Sequence, residues 1–213
     1  MDAGGTAART GGRALGRALF LATALAGAAV DLGTKAWAFD FLGARIVTVY
    51  QRPDGTHTLV RPADPQQIAA EFPRAVDGRT VTVIPGCFDL RASMNTGAVF
   101  GILSGQTAWV MVFTCLALGM IAWILFKADP KRLGLHAAFG LICAGAIGNL
   151  WDRLHYAGVR DFIRWYAGGT GWEWPTFNVA DAALVVGIGV ILVLEWRAPK
   201  AAAGPALAGT AGA

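Results

Sequence analysis

The sequence is poor in charge, cysteine and histidine, and these shortages exclude several classes of protein. Only 15% of its residues are charged and 55% are hydrophobic, whereas an average soluble domain carries about 25% charged residues. The net charge of +4 comes from no dense basic cluster, so we expect no nucleic-acid partner. This balance is typical of a membrane protein.

The few metal-binding side chains lack the spacing of a metal site. Two cysteines fall inside apolar runs, and we expect the cysteines to be buried as small hydrophobic residues. No phosphate-binding loop, zinc pattern, Ser/His/Asp or Cys/His arrangement is present. We therefore expect no metal and no other cofactor. The residues considered are Cys87, Cys115, Cys143, His57, His136 and His155.

Four long apolar runs predict four membrane-spanning helices, because each approaches the roughly 20 residues that cross the hydrocarbon layer. The predicted spans are residues 15–38, 107–126, 133–150 and 180–196, within a single membrane domain of residues 15–197. Residues 1–14 and 198–213 are expected to be disordered tails. Residues 40–105 contain short β-branched runs separated by Pro and Gly turns, which predicts a small β-rich segment outside the membrane.

Basic residues predict the orientation of these helices. With four spans, one side is flanked by Arg9, Arg13, Arg17, Lys127, Lys131, Arg132, Arg197 and Lys200. The positive-inside rule makes that side cytoplasmic, so both termini are cytoplasmic. The predicted fold class is an all-α membrane protein: a four-transmembrane-helix bundle with a small β-rich extramembrane subdomain on the periplasmic side.

Polar side chains gather at the outer end of the predicted spans, where ionisable groups are costly and indicate function. Asp31 and Lys35, spaced i and i+4, can pair on one helix face. The pair is either an interfacial one, with Lys35 reaching the headgroups, or the anchor of a polar network. Gly97, in an Asn-Thr-Gly turn, allows close backbone approach and fits a re-entrant turn as well as a binding loop. The other residues expected at this end of the spans are Asn95, Asn149, Asp152, Arg153, Asp161, Asn178 and Asp181.

Asp161 and Asp181 are the candidate reacting pair. Asn178 suits a helix N-cap and places Asp181 in the first turn, where the helix dipole favours a carboxylate; a cap alone would also explain Asp181. Asp161 lies in the bridge that folds back over the same surface. If the two acids face each other they share a proton, so that one can activate water and the other protonate a carbonyl oxygen or leaving amine. Two alternatives are a small proton-coupled transporter, whose carboxylates would lie near the bilayer midplane, and a noncatalytic membrane scaffold.

Four ordered boxes in this chain resemble the lipoprotein signal peptidase (signal peptidase II) family. They cover about residues 17–196 and are specific as an ordered set rather than singly. The boxes are Asp31-L-G-T-Lys35, Asn95-T-G-A-V-F-G, Gly145-A-I-Gly148-Asn149-L-W-Asp152-Arg153 with V-R-Asp161-F-I, and Phe177-Asn178-V-Ala180-Asp181.

The resemblance implies a bacterial inner-membrane aspartic endopeptidase that cleaves a prolipoprotein just before its diacylglyceryl-modified cysteine. It assigns catalysis to Asp161 and Asp181. It implies that Asp152 supports the site, that Asp31 and Lys35 brace it, and that four residues hold substrate or orient the dyad: Asn95, Asn149, Arg153 and Asn178. The expected partners are the lipid-modified substrate and membrane lipid, and we expect a monomer.

Two features depart from the family pattern. The segment from Asp31 to Asn95 is 64 positions long, about double the usual length, which indicates an insertion near residues 51–82 in the outer segment. Met94 stands before Asn95, where arginine is common. Neither departure touches the candidate dyad.

Overall fold

A computed structural model describes residues 3–51, 57–60, 74–97 and 107–198 of the chain. The helices within these residues are α1 (Ala3–Phe41), α2 (Thr107–Lys127), α3 (Leu133–Tyr156) and α4 (Val179–Arg197). The strands are β1 (Arg45–Gln51), β2 (His57–Val60), β3 (Arg74–Asp77), β4 (Thr80–Ile84), β5 (Phe88–Asn95), β6 (Val159–Ala167) and β7 (Trp172–Glu173).

All four helices contain a stretch long and apolar enough to cross a membrane, namely Ala14–Phe41, Thr107–Lys127, Leu133–Tyr156 and Val179–Arg197. The four apolar helices of the predicted fold class are therefore present, and the protein is a multi-pass membrane protein. The helix α3 continues past its predicted end at residue 150 and includes Asp152 and Arg153. The helix α1 begins at Ala3 and includes residues that we expected in a disordered tail, while most of the other tail, 199–213, lies outside the described residues.

The helix α3 is the centre of the bundle and packs against α1 and α4 through small residues. A Cβ at Gly140 would meet Thr23 of α1, and one at Gly148 would meet the carboxylate of Asp31. On the other face, a Cβ at Gly145 would meet the backbone oxygen of Ala180 in α4. Glycine permits this close approach of helix backbones, which is how membrane helices gain packing energy without a hydrophobic driving force.

Substituting Gly145 by alanine is expected to lower the stability of the bundle by about 1–3 kcal/mol, the usual cost of overpacking. The added methyl group would collide with a backbone atom of α4, which cannot rotate away as a side chain can. Thermal unfolding in detergent measures the effect. Gly189→Ala is the matched control, since a Cβ there meets nothing within 4 Å. Equal unfolding temperatures in the two variants would contradict this packing argument.

Two antiparallel sheets lie outside the helices. One has the strand order β2-β1-β3 and the other the order β4-β5-β6-β7. The β-branched runs that predicted a β-rich segment do form strands: residues 47–50 lie in β1, 58–60 in β2 and 80–84 in β4. The sequence analysis did not identify β6 and β7, which occupy the bridge between α3 and α4. Within the predicted insertion, residues 52–56 and 61–73 lie outside the described residues.

The second sheet joins segments that are distant in sequence. The strand β6 follows directly on α3, whose C-cap residue Ala157 has the left-handed backbone conformation, with φ of 51°. This turn directs the chain into antiparallel pairing with β5, in which Ser93 lies opposite Asp161 and Asn95 lies opposite Val159. This pairing places the extramembrane segment that follows α1 beside the segment that joins α3 to α4.

The expectation about the cysteines is partly wrong. Cys143 is buried in the hydrophobic core of the bundle, but Cys115 and Cys87 are exposed. Cys115 lies on α2, most of whose surface is not covered by other helices. A hydrophobic position on a membrane helix can be satisfied by lipid as well as by protein, so the apolar run alone could not distinguish the two.

Candidate active site

The candidate polar residues meet at one end of the bundle, which we call the site end. It is formed by the last turns of α1 and α3 and the first turn of α4. The start of α2 lies there as well, because the hydroxyl of Thr107 donates a hydrogen bond to the carbonyl oxygen of Thr96. Neighbouring spans therefore run in opposite directions, and the two sheets adjoin the site end.

Lys35 is a buried cation that joins α1 to α3 at this end. Its Nζ donates hydrogen bonds to Asp31 Oδ2 at 2.7 Å and to Asn149 Oδ1 at 2.8 Å, and lies 3.6 Å from Asp152 Oδ2. Lys35 and Asp152 are 0% exposed and Asp31 is 1% exposed. Asp31 Oδ1 also accepts a hydrogen bond from the backbone N–H of Ala180. Of the two interpretations of the Asp31–Lys35 pair, the polar network is therefore correct, and Lys35 does not extend to the headgroups.

Asn178 holds both candidate aspartates. It is the N-cap of α4, where its Oδ1 accepts from Asp181 N at 3.1 Å and its own backbone N–H donates to Asp181 Oδ2 at 3.1 Å. This reciprocal arrangement is a capping box. The side-chain Nδ2 of Asn178 donates to Asp161 Oδ1 at 2.6 Å. The two acids, 20 positions apart in the sequence, thus share one amide residue.

Asn149 connects Lys35 to Asp181. Its Nδ2 donates to Asp181 Oδ1 at 2.8 Å, and its Oδ1 accepts from Lys35 and from Asn178. Because an ammonium group has only donors, Lys35 requires the oxygen of this amide and turns the NH₂ group toward Asp181. Both carboxylate oxygens of Asp181 consequently accept hydrogen bonds.

The turn after β5 is bound to the same site. Arg153 Nη2 donates to the carbonyl oxygen of Gly97 at 2.7 Å, and the backbone N–H of Gly97 donates to Asn95 Oδ1 at 3.0 Å. The side chain of Asn95 in turn donates a hydrogen bond to Asp161. Arg153 Nε is buried without a hydrogen-bond partner among the described residues.

Arg160 is a site residue that the sequence analysis missed. It makes an ion pair with Asp152, with its Nη2 at 2.8 Å from Oδ1. The backbone N–H of Arg160 donates to Asp152 Oδ2 as well. The available signal in the sequence was its position directly before Asp161. Consecutive residues of a strand point to opposite faces, so Arg160 and Asp161 lie on opposite faces of β6. In the β5–β6 register, Met94 lies opposite Arg160, and an arginine at position 94 would bring two cations together.

Asp161 is 2% exposed. Its burial, followed by the neighbouring charge of Asp181, raises the pKa of Asp161 well above its ordinary value of 3.8. Hydrogen bonds from Asn178 and Asn95 and the charge of Lys35 oppose this rise. Desolvation disfavours the charged form of a carboxyl group, and a second acid close by adds to the effect.

The structure brings all ten predicted site residues into one connected arrangement, from Asp31 and Lys35 on α1 to Asp181 on α4. Asp161 lies on β6, outside the spans. The transporter alternative, which needs carboxylates near the bilayer midplane, is not supported.

The fold and the site define a multi-pass membrane protein with buried acids, amides and a lysine at one end of its bundle. The family model described as Signal peptidase (SPase) II matches residues 23–197. The chain belongs to the signal peptidase II family, which is a family of peptidases.

Curated relatives agree with this assignment. The chain is 38% identical over 120 residues to the lipoprotein signal peptidase of Syntrophotalea carbinolica, covering 54% of this chain and 72% of that protein. It is 42% identical over 124 residues to the lipoprotein signal peptidase of Azoarcus sp., covering 56% of this chain and 69% of that protein.

Solved structures show the same fold. A bacterial membrane enzyme solved by the in meso method aligns with a TM-score of 0.51 and 29% identity, covering 59% of this chain and 78% of its own. A second bacterial membrane enzyme aligns with a TM-score of 0.58 and 24% identity over 84% of this chain and 92% of its own. The latter supports the fold alone.

Proposed function

We propose that this protein is an aspartic endopeptidase that removes the signal peptide from diacylglyceryl-modified prolipoproteins, cleaving just before the lipidated cysteine. The family supports the removal of signal peptides from prolipoproteins. The observation that carries the aspartic mechanism is that Asn178 binds both Asp161 and Asp181. A buried acid and a second acid that are held by one residue are suited to sharing a proton.

The environments of the two acids differ. Asp181 lies in the first turn of α4, near the positive end of the helix dipole, and accepts hydrogen bonds from Asn149 and Asn178. Asp161 is buried, and its raised pKa favours the neutral acid. Acids whose environments differ in this way can act as the base and the acid of one reaction.

In the proposed reaction, the carboxylate of Asp181 takes a proton from water as the water oxygen attacks the scissile carbonyl carbon. Asp161 donates its proton to the carbonyl oxygen of the substrate. Collapse of the tetrahedral intermediate breaks the C–N bond: the proton taken by Asp181 passes to the leaving amine, and the hydroxyl formed on the former carbonyl oxygen returns its proton to Asp161 as the carboxylic acid product forms. Lys35 orients Asn149 toward Asp181, Asn95 donates a hydrogen bond to Asp161, and Arg153 holds the adjoining turn at Gly97.

The site end is proposed to lie at the outer, periplasmic face of the bacterial inner membrane, with both termini in the cytoplasm. Lys127, Lys131 and Arg197 lie at the opposite end of the bundle, together with the Arg132–Glu195 ion pair. A substrate held in the membrane by its signal helix and acyl chains would meet water and the two acids at this boundary.

Cleavage of a defined precursor tests the proposed function. The purified protein in detergent should cleave a diacylglyceryl-modified precursor peptide, and mass spectrometry should find the lipidated cysteine at the new N-terminus. The control substrate is the same peptide without the lipid, and it should be cleaved far more slowly. Activity should persist in excess chelator. Cleavage elsewhere in the peptide, or loss of activity on chelation, would reject the proposal.

The raised pKa of Asp161 predicts a protonated carboxyl group at pH values where an ordinary aspartate is ionised. Difference infrared spectroscopy at mildly acidic pH should detect its carbonyl band, and Asp161→Asn should remove that band. The folded state binds this proton more tightly than the unfolded state does, so the protonated acid stabilises the fold. The contribution of this proton to stability is therefore complete below pH 3.8, the ordinary pKa of an aspartate. It is lost as the pH rises through the folded-state pKa of Asp161. A spectrum without such a band, in a protein that retains its fold, would contradict the prediction.

A further inference from the structure

Arg160 is a buried arginine on the face of β6 that packs against the helices, opposite to the face that carries Asp161. It is 8% exposed. Its guanidinium carbon lies 4.6 Å from the centre of the Tyr156 ring in α3 and 5.9 Å from that of the Phe39 ring in α1. Both distances are those of a cation–π contact. Arg160 therefore lies behind Asp161, away from the side on which a peptide would meet that acid.

Arg160 donates hydrogen bonds to both carboxylate oxygens of Asp152. Its Nη2 donates to Oδ1 at 2.8 Å, its backbone N–H donates to Oδ2 at 2.9 Å, and its Nε lies 3.2 Å from each oxygen. Asp152 is fully buried. A buried carboxylate is costly without a partner of opposite charge, and the planar guanidinium group can bind two oxygens at once. Arg160 thus neutralises a carboxylate that water does not reach.

This ion pair keeps Lys35 available to other residues. Lys35 Nζ lies 3.6 Å from Asp152 Oδ2, beyond the length of a good hydrogen bond. Its hydrogen bonds to Asp31 and Asn149 are shorter, at 2.7 Å and 2.8 Å. Without the side chain of Arg160, Asp152 would be a buried anion with the ammonium group of Lys35 close by. Lys35 would then move toward Asp152 and away from Asn149.

The amide of Asn149 connects this effect to the reacting pair. Its Oδ1 accepts from Lys35 while its Nδ2 donates to Asp181 Oδ1 at 2.8 Å. Without Lys35, the longer hydrogen bond from Asn178, at 3.2 Å, would be left to hold that oxygen. The amide could then rotate and withdraw its NH₂ group from Asp181. The charge of Lys35 also acts on Asp161, whose pKa it lowers.

The backbone of Arg160 is fixed from two sides. Its N–H donates to Asp152 of α3, and its carbonyl oxygen accepts from Asn178 Nδ2 at 3.4 Å. The same nitrogen of Asn178 donates to Asp161 Oδ1. The residue directly before Asp161 is thereby held between the end of α3 and the start of α4.

We propose that Arg160 is a positioning residue that, by neutralising Asp152, keeps Lys35 in place beside the reacting pair. Its effect on cleavage rests on the proposed function, whereas its effect on the charges of the site can be measured without cleavage. The charged and titratable groups that the helices place around Asp161 and this ion pair are Asp31 and Lys35 on α1, Asp152, Arg153 and Tyr156 on α3, and Asp181 on α4.

Replacing Arg160 by methionine tests this role. The change leaves Asp152 unpaired and draws Lys35 toward it, so kcat for cleavage of the lipid-modified precursor should fall by up to about 10²-fold, as for a small misplacement of reacting groups. The value of KM should change little, because Arg160 lies behind the site. Arg160→Lys keeps the positive charge and should lose much less activity. Equal losses in the two variants would overturn the proposal.

Arg164→Met is the matched control. Arg164 lies on the same strand and the same face as Arg160, four residues on, but it pairs with Asp89 and Glu173. The control therefore removes an arginine and its ion pairs from β6 without touching the network of Lys35. It should keep the kcat of the unaltered protein. A fall in kcat equal to that of Arg160→Met would overturn the proposal, because any loss of an ion pair from the strand would then suffice.

The pH dependence separates positioning from a purely structural role. The alkaline limb of the kcat/KM profile reports the general acid, which is Asp161 in the proposed reaction. In Arg160→Met this limb should move to higher pH by about one pH unit, because Lys35 no longer lowers the pKa of Asp161 to the same degree. In Arg160→Lys and Arg164→Met it should stay in place. A lower unfolding temperature of Arg160→Met with kcat and the limb unchanged would overturn the proposal.

A double variant shows whether the charge of Asp152 is the cause. Adding Asp152→Asn to Arg160→Met removes the unpaired anion, so the limb should return and part of kcat should be recovered. Asp152→Asn alone leaves Arg160 as an unmatched cation and should place the limb at lower pH than in the double variant. This comparison holds even if Arg160→Met does not fold. An identical limb in Asp152→Asn and in the double variant would overturn the proposal.

The infrared carboxyl band of Asp161 distinguishes failure of this role from failure of the proposed function. The pH at which the band is half lost should rise in Arg160→Met, should return in the double variant and should be lower in Asp152→Asn. If the unaltered protein does not cleave the precursor while the band shifts in this way, the proposed function fails and the positioning of Lys35 by Arg160 stands. The same midpoint in every variant that folds would overturn the positioning role.

Discussion

Replacing Asp161 by asparagine is expected to lower kcat for precursor cleavage by about 10²–10⁴-fold, the usual contribution of a general acid or base. Asparagine cannot donate a proton to the substrate, and it has the shape of the protonated aspartic acid. Its Oδ1 can still accept the hydrogen bond that Asn178 donates to Asp161. The variant should therefore stay folded while activity falls.

Asp181→Asn should reduce kcat to a similar degree, but it should also lower stability. Both oxygens of Asp181 accept hydrogen bonds, from Asn149 and from the backbone of Asn178. An asparagine offers only one oxygen, so one donor loses its partner and the capping box is broken. The loss of a helix cap costs about 0.5–2 kcal/mol. The two variants should thus match in activity and differ in unfolding temperature.

The measurement is the initial rate of cleavage of the lipid-modified precursor, with thermal unfolding recorded on the same samples. Asp129→Asn is the matched control, because Asp129 is an exposed aspartate in the loop between α2 and α3. It should keep full activity. Full activity of Asp161→Asn or of Asp181→Asn would exclude the proposed dyad.

Lys35→Met is the substitution with the largest expected effect on stability. Lys35 is fully buried and pairs with Asp31 while facing Asp152. Its removal leaves buried carboxylates with fewer partners, and breaking a buried ion pair by removing one member costs about 3–5 kcal/mol. Methionine has a similar length and fills most of the space, so the loss reports on charge rather than on a cavity.

Unfolding in detergent, followed by circular dichroism, measures this loss. Lys131→Met, in the exposed loop before α3, is the control and should change stability little. Adding Asp31→Asn to Lys35→Met should recover part of the loss, since it removes one uncompensated charge and can still accept from Ala180. A double variant no more stable than Lys35→Met alone would indicate that packing, and not charge, governs the site.

The membrane bundle could be predicted from local sequence because its signal is local. Hydrocarbon requires about 20 apolar residues in a helix, and all four spans meet this condition in the sequence itself. The helix start at Asn178 could be predicted in the same way, because the N-cap and the carboxylate in the first turn are three residues apart. The same holds for Asp31 and Lys35, which are neighbours on one turn of α1.

The second sheet could not be predicted in this way. The strand β6 carries Arg160 and Asp161, and its stability depends on pairing with β5, more than sixty residues earlier in the chain. A strand bordered by two long helices has no internal hydrogen bonds to define it. For the same reason the ion pair between Arg160 and Asp152 was missed, although both residues lie in one of the resemblance boxes.

The sequence by itself determined the class of the protein, the four spans and the list of polar residues at their ends, because composition, run length and helix periodicity are properties of neighbouring residues. The tertiary structure alone decided which of these side chains bind one another: that Lys35 faces Asn149, that Asn178 holds two aspartates, and that Arg160 neutralises Asp152. Those contacts join α1, α3, β6 and α4. They depend on how closely the helix backbones approach at Gly145 and Gly148, and packing at that scale is set by the whole bundle.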